Sequence, residues 1–395
     1  YANNYKYINL AIFLMAFEMI CIFAALNFTS SNCKKEKLSK KSYLKNLPSV
    51  NSLNATGIIV LIVLLGLYMT NRSLINDISQ VTKGTVIENI GKKSSALSQI
   101  LWQCLLSWFC VYLIFIQKIK YEKGNRTSSI MLSVLFSLLF IFLIYLGQSR
   151  ISRWYPLVCG IASLYILLEC FTKEKKKITL FFLIPVGILL FTVSIFKMTT
   201  YSNIEMGNNV FSDLFSATNL DAYFAGPVSV NNAIGLYVEY NIGFKNIVYD
   251  IFNNFPILNK YIATENSTAY LYNQYVGRIF ESGRGDQIIP LVGQSMIFFT
   301  PLFAPLLSVI SVFVLRFFDK HFKASNDYLK YVYAFAGVWF SVITVLNMTI
   351  ALSWVYIRII PLLVVFKGIK FLSNNGTGST LLNKEHANGE SLEDL

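Results

Sequence analysis

Five arginines and three carboxylates are the side chains of this sequence with the most chemistry to offer. In GQSRISRWYPLV (147–158), Arg150 and Arg153 sit in a six-residue polar gap between two apolar runs. Arg278 and Arg284 share a much longer interval with Asp221, Glu239 and Asp286, and Arg358 lies inside a later apolar run. An arginine fork donates two parallel hydrogen bonds and stays charged, which suits it to a diphosphate. A positioned carboxylate can take a proton as general base. For Arg150 and Arg153 two readings stand side by side: holding an anionic ligand, or anchoring to lipid phosphates.

The elements that must position these groups are apolar to a degree no soluble domain of this size reaches. The 395 residues are 54% hydrophobic and only 14% charged, which identifies an all-α polytopic membrane protein. Nine apolar runs, near 8–28, 54–70, 98–117, 130–147, 154–171, 178–196, 288–318, 331–350 and 353–371, approach the ~20 residues needed to cross the hydrocarbon core. Their continuity, without a period of two, excludes a transmembrane β-barrel. The first run lacks a cleavage pattern and reads as a helix rather than a removed signal peptide. Because the chain begins with Tyr1 rather than Met, further sequence, including another helix, is expected upstream.

Charge gives an orientation. The gap 29–53 carries Lys34, Lys35, Lys37, Lys40, Lys41 and Lys45 against one acid, so it is assigned to the cytoplasm by the positive-inside rule. The gaps 118–129, 172–177 and 316–330 are basic in turn, and the alternation holds. The net charge of +13 is therefore a topology signal and not a nucleic-acid footprint. The resulting order is helices one to six over 1–196, a large exterior loop over 197–287, helices seven to nine over 288–371, and a disordered cytoplasmic tail over 372–395. The prolines Pro290, Pro301 and Pro305 leave the run 288–318 open between one kinked span and a re-entrant segment plus a span. His321 and His386, the only histidines, map to the cytoplasmic side, and no metal site or cofactor is called for.

The loop carries sixteen aromatics and eight acids against five bases, and a connector of 91 residues reads as functional. SVNNAIGLYVEYN and STAYLYNQYVGRIFESG are expected to be surface helices. In the second, Ser267 is the expected N-cap and Gly283 the stop. One face of that helix collects Leu271, Tyr272, Tyr275, Val276, Ile279 and Phe280, and the other Tyr270, Asn273, Gln274, Gly277, Arg278 and Glu281. Aromatics mixed with amides and carboxylates suit sugar rings, which makes Tyr223, Tyr270 and Gln274 the sugar-binding candidates. The alternative is an interfacial anchor helix with an Arg278–Glu281 pair. Arg358 lies about two turns into the last run, where a charge is costly alone, and two readings stand: a structural pair with Glu18, or a catalytic role for either residue.

Many helices, an SR element opening a helix in GQSRISRW, one large late exterior loop, and DAYFAGPVSVNNAIG with Tyr223, Phe224, Gly226 and Pro227 together resemble the Wzy-type repeat-unit polymerases of O-antigen, capsule and exopolysaccharide synthesis. One departure is that none of Arg150, Arg153, Arg278 and Arg284 has glycine eleven positions on, so the arginine–glycine pattern of some members is absent. The resemblance implies a multi-pass protein of the bacterial cytoplasmic membrane that transfers a growing chain from undecaprenyl diphosphate to a new lipid-linked repeat unit. It also implies the bilayer, a chain-length regulator and a flippase as partners, and no nucleotide sugar. With it, Arg150, Arg153, Arg278, Arg284 and Arg358 are expected on the diphosphate, and Asp221, Glu239 and Asp286 as catalytic candidates. The rivals are a ligase-like or other lipid-donor glycosyltransferase, for which the exterior histidine is missing, and a flippase or transporter for the same lipid-linked unit.

Overall fold

The computed structural model describes residues 5–33, 50–75, 95–147, 154–201, 226–240, 242–255, 264–280, 288–325 and 327–373. Among them the chain is helical throughout. Helices α1 (Ile8–Cys33), α2 (Val50–Thr70), α3 (Ala96–Glu122), α4 (Arg126–Leu146), α5 (Trp154–Cys170) and α6 (Lys175–Tyr201) are followed by four shorter ones: α7 (Pro227–Tyr240), α8 (Lys245–Asn253), α9 (Thr268–Phe280) and α10 (Leu291–Phe299). Then come α11 (Leu306–Ala324), α12 (Leu329–Ser341) and α13, which runs from Met348 to Ser373 through a π turn at Val355–Ile359.

Among the described residues six segments are long and apolar enough to cross a membrane: Ile8–Thr29, Leu53–Thr70, Ala96–Glu122, Arg126–Leu146, Pro301–Ala324 and Met348–Ser373. A seventh is added if α5 and the helix after it count as one span, but these meet at a 109° bend. The chain thus has the helices of a multi-pass membrane protein, six or seven among the described residues against the nine apolar runs of its sequence. Two of those runs are broken by local chemistry. In 331–350, Asn347 lies within the apolar stretch and its side chain accepts from Ile350 N at 2.7 Å, starting a new helix where a continuous one was expected. In 288–318, Thr300 takes φ +82° ahead of Pro301, so α10 ends and a separate span begins.

The described helices fall into two compact units. In the unit comprising Ser39–Glu205, His321–Phe335 and Ile359–Leu395, α3 packs against α2, α4 and α5, and α4 against α5 and α6. Ser129, Ser133, Ser137 and Ser163 are all buried there, small enough to let helices approach. Ser133 and Ser137 donate to carbonyls four residues back, at 2.8 and 2.9 Å. The buried Lys330 ammonium reaches Glu169 at 3.0 Å, so this charge enters the helix bundle with a partner.

The other unit comprises Tyr1–Leu38, Met206–Lys320 and Ala336–Arg358. Its core joins α1 to α7, α9 and α10 through Ala11, Leu14, Val230, Ile234, Tyr272 and Met296. Tyr7 N donates to Asn231 Oδ1 at 2.8 Å, holding the first residues of α1 against α7. At the opposite end of α1, Arg316 donates to Thr29 Oγ1 at 3.1 Å and to the Leu26 carbonyl at 3.3 Å. The basic end of α11 therefore lies beside the end of α1 that leads into the lysine-rich gap, and α7 lies at the other end. Between them Ser308 Oγ donates to Glu18, so the buried carboxylate is held by a hydroxyl.

Helices α7 and α10 touch where Gly293 faces Ala233: a Cβ on Gly293 would lie 2.7 Å from that of Ala233. Overpacking of this kind costs about 1–3 kcal/mol. Gly293→Ala should lower the melting temperature of the detergent-solubilised protein, and adding Ala233→Gly should recover part of the loss.

Candidate functional site

Helix α9 is held at its start by two side chains. Ser267 Oγ accepts from Tyr270 N at 3.3 Å, as expected of the N-cap, and Asp250 Oδ1 accepts from Thr268 N at 2.8 Å. The face expected to be apolar is buried at Tyr272, Tyr275 and Val276, with Tyr272 Oη donating to the Ser229 carbonyl at 3.0 Å. This face packs on α7 rather than lying free. Burying it leaves Tyr270, Gln274 and Arg278, four residues apart in turn, as an exposed stripe along α9.

Opposite Arg278 stands Glu239 near the end of α7. The guanidinium forms an ion pair with Glu239 Oε2, and Tyr275 Oη donates to Glu239 Oε1 at 3.2 Å. The guanidinium lies 5.5 Å from the centre of the Tyr240 ring and 5.6 Å from that of Tyr275, and these rings meet edge to face at 6.1 Å. Burial, reinforced by the neighbouring carboxylate charge, pushes the Tyr275 hydroxyl up to about 12, so it donates its proton to Glu239 throughout the physiological range. Gly235 makes room for that hydroxyl, since a Cβ there would overlap it. Arg278 and Glu239 remain about half exposed. Such a pair adds little stability and is open to exchange with a ligand.

Glu239 and Arg278 are thus brought together, with Tyr270 and Gln274 on the same exposed stripe as Arg278. Arg278 takes Glu239 from another helix as its described carboxylate partner; Glu281, its partner in the alternative anchor-helix reading, is among the residues not described. Arg150, Arg153, Arg284, Asp221, Asp286, Tyr223 and Glu281 lie outside the described residues. Before the first of these, the Gly147 carbonyl accepts from Gln99 Nε2 at 3.1 Å and Gln103 Nε2 at 3.4 Å, which fixes the start of GQSRISRW. Of DAYFAGPVSVNNAIG, Gly226 and Pro227 are described: Pro227 opens α7, and the Gly226 carbonyl accepts from Val230 N at 3.2 Å. Arg358 lies in the π turn of α13, half buried. Because α13 starts at Met348, Arg358 is ten residues into the span, about 15 Å, deeper than the two turns expected.

A second polar centre escaped the sequence reading. Asp250 is fully buried and accepts from Gln294 Nε2 at 2.7 Å on its second oxygen. The same Gln294 accepts from Met348 N at 2.7 Å. One carboxylate and one amide therefore tie α8 to the starts of α9 and α13 through α10. The only signals in the sequence are that Gln294 is the sole amide in the run 288–318 and that Asn246 and Asp250 sit four apart on an apolar helix. Elsewhere, a groove between α2, α3 and α4 is lined by Leu61, Leu65, Trp102, Phe136 and Leu143 among others; its walls carry no charge and suit hydrocarbon. Comparison with protein-family models, with curated proteins and with solved structures finds no match.

Burial, its largest cause, pushes the Asp250 carboxyl up to about 6, opposed by the hydrogen bonds from Thr268 and Gln294. A folded-state value above the unfolded one stabilises the fold at low pH, and that stability is lost as pH rises through about 6. The melting temperature in detergent should therefore climb as pH falls from 7 to 5 by the equivalent of roughly 1 kcal/mol. Asp250→Asn should flatten this climb while costing about 1–3 kcal/mol for the acceptor it lacks.

Proposed function

We propose that this chain is a glycosyltransferase of the bacterial cytoplasmic membrane. It polymerises oligosaccharide repeat units carried on a polyprenyl diphosphate, working on the outer face. The observation that carries the proposal is the Arg278–Glu239 pair, half exposed, backed by two tyrosines, beside the stripe of Tyr270 and Gln274. The position of α7 at the end of α1 opposite the basic ends supports an exterior side for this site.

The donor diphosphate draws the Arg278 guanidinium away from Glu239, and arginine neutralises the charge that grows as the bond between the anomeric carbon and the diphosphate oxygen breaks. Glu239, released from its cation, accepts the proton of the acceptor hydroxyl while that oxygen bonds to the anomeric carbon. Lipid diphosphate leaves without needing a proton on the bridging oxygen, so a glycosidase-like carboxylate pair is not required. Tyr270 and Gln274 offer a ring face and an amide to the sugars. Arg150, Arg153, Arg284 and Arg358 remain further diphosphate candidates, Asp221 and Asp286 alternative bases, and Tyr223 a further sugar contact. A flippase and a chain-length regulator are the expected partners.

The test is incubation of purified protein in liposomes with its lipid diphosphate-linked repeat unit, without nucleotide sugar, and resolution of the products by size. A ladder rising in whole repeat units is expected. Glu239→Gln should slow it about 100-fold or more, the range of a general base, and Arg278→Lys should fall between wild type and Arg278→Ala because it keeps charge without the fork. Substrate that stays monomeric but crosses the liposome membrane would instead make the chain a flippase.

A further inference from the structure

Helix α8 is built inside out. Asn246 and Asp250, the polar residues of one face, are buried: Asn246 Nδ2 donates to the Asn266 carbonyl at 3.0 Å, and Asp250 is held by Thr268 and Gln294. The opposite face presents Phe244, Val248 and Phe252, spaced by four, and these are 64%, 47% and 39% exposed. An amphipathic helix at a water-exposed surface turns the other way, with its apolar stripe toward the core.

Three contacts give the depth of this face. Phe244 meets Phe299 with ring centres 5.9 Å apart, and Phe299 is followed at once by the span Pro301–Ala324, whose first turn exposes Leu302 and Phe303. The stripe is therefore continuous with the outer surface of a membrane span. At the far end of α8, Phe255 lies edge-on to Tyr356 at 4.9 Å. Tyr356 is eight residues into the last span, about 12 Å from its start. Helix α7 packs against α1 in the same unit, in a core that includes Leu14, about 9 Å beyond Ile8 along that helix.

We propose that α8 is embedded in the bilayer, with Phe244, Val248 and Phe252 in contact with lipid acyl chains and Asn246 and Asp250 turned to the protein. The segment carrying the Arg278–Glu239 pair is thereby anchored at membrane depth instead of standing in water as a free loop. Lys245, exposed at the start of α8, is long enough to reach the lipid phosphates from there. This inference does not depend on the chemistry the pair performs.

The test places p-benzoylphenylalanine at Val248 or Phe252 in the full chain, irradiates native membranes and reads lipid adducts by mass. Ile59, exposed on the span α2, and Gln274, on the exposed stripe of α9, are the comparison positions. Adduct yields at 248 and 252 should match that at 59 within about twofold and exceed that at 274 by about fivefold or more, as an interfacial helix requires. Yields at 248 and 252 no higher than at 274 would overturn the proposal. So would cross-links to protein, whether a second copy or another chain, because the stripe would then be a protein interface.

Discussion

The buried Asp250 carboxylate is the constraint on which the arrangement around α7 to α10 depends. A carboxylate removed from water loses several kcal/mol of hydration unless its lone pairs are met. Here a backbone N–H at the start of α9 meets one oxygen and the Gln294 amide meets the other. Gln294 in turn accepts from the backbone at the start of α13. Two helix starts, whose first N–H groups have no partner within their own helices, are thus satisfied by a chain of two side chains. Because Asp250 lies on the inner face of α8, satisfying it also forces the apolar face of α8 outward. The orientation of one short helix and the starts of two others follow from one acid.

From that anchoring comes the geometry of the Arg278–Glu239 pair. With its start held by Asp250 and Ser267, α9 can bury Tyr272, Tyr275 and Val276 in only one rotation, and that rotation leaves Tyr270, Gln274 and Arg278 outward. Tyr275 then passes over Gly235 to reach Glu239. The pair is consequently ordered by burial of its neighbours, while its own members stay half exposed and weakly bound to each other. That combination suits exchange: the scaffold is rigid and the ion pair is replaceable.

Much of this was legible in the sequence, and what was not has physical reasons. The amphipathic split of α9, its Ser267 cap and the existence of α7 follow from local period and capping chemistry, and the structure reproduces them. Hydropathy identified every apolar run but not its continuity. Asn347 begins a helix inside one run because a single side-chain oxygen can cap it, and Thr300 with Pro301 ends another. Asp250 was only one of the loop's eight acids, since its partners are 18 and 44 residues away and no local pattern links them. The hydroxyl that Glu18 accepts from belongs to Ser308, 290 residues distant, which local pattern does not announce.

The tyrosines around Arg278 bear on what the site selects. A guanidinium set against the rings of Tyr240 and Tyr275 keeps its charge, is limited in orientation by them and leaves its donor edge open to water. It therefore favours a planar or forked oxyanion arriving at its edge over a mobile small ion. Glu239 occupies that edge in the structure, held from its other oxygen by a tyrosine whose hydroxyl stays protonated. In the proposed mechanism an incoming diphosphate oxygen takes the arginine edge without disturbing the tyrosine bond, so that the carboxylate is released from its cation yet remains oriented. Of the carboxylates considered as bases, Glu239 is the one described with both its competitor cation and its orienting donor in place, which is why the chemistry is argued through it.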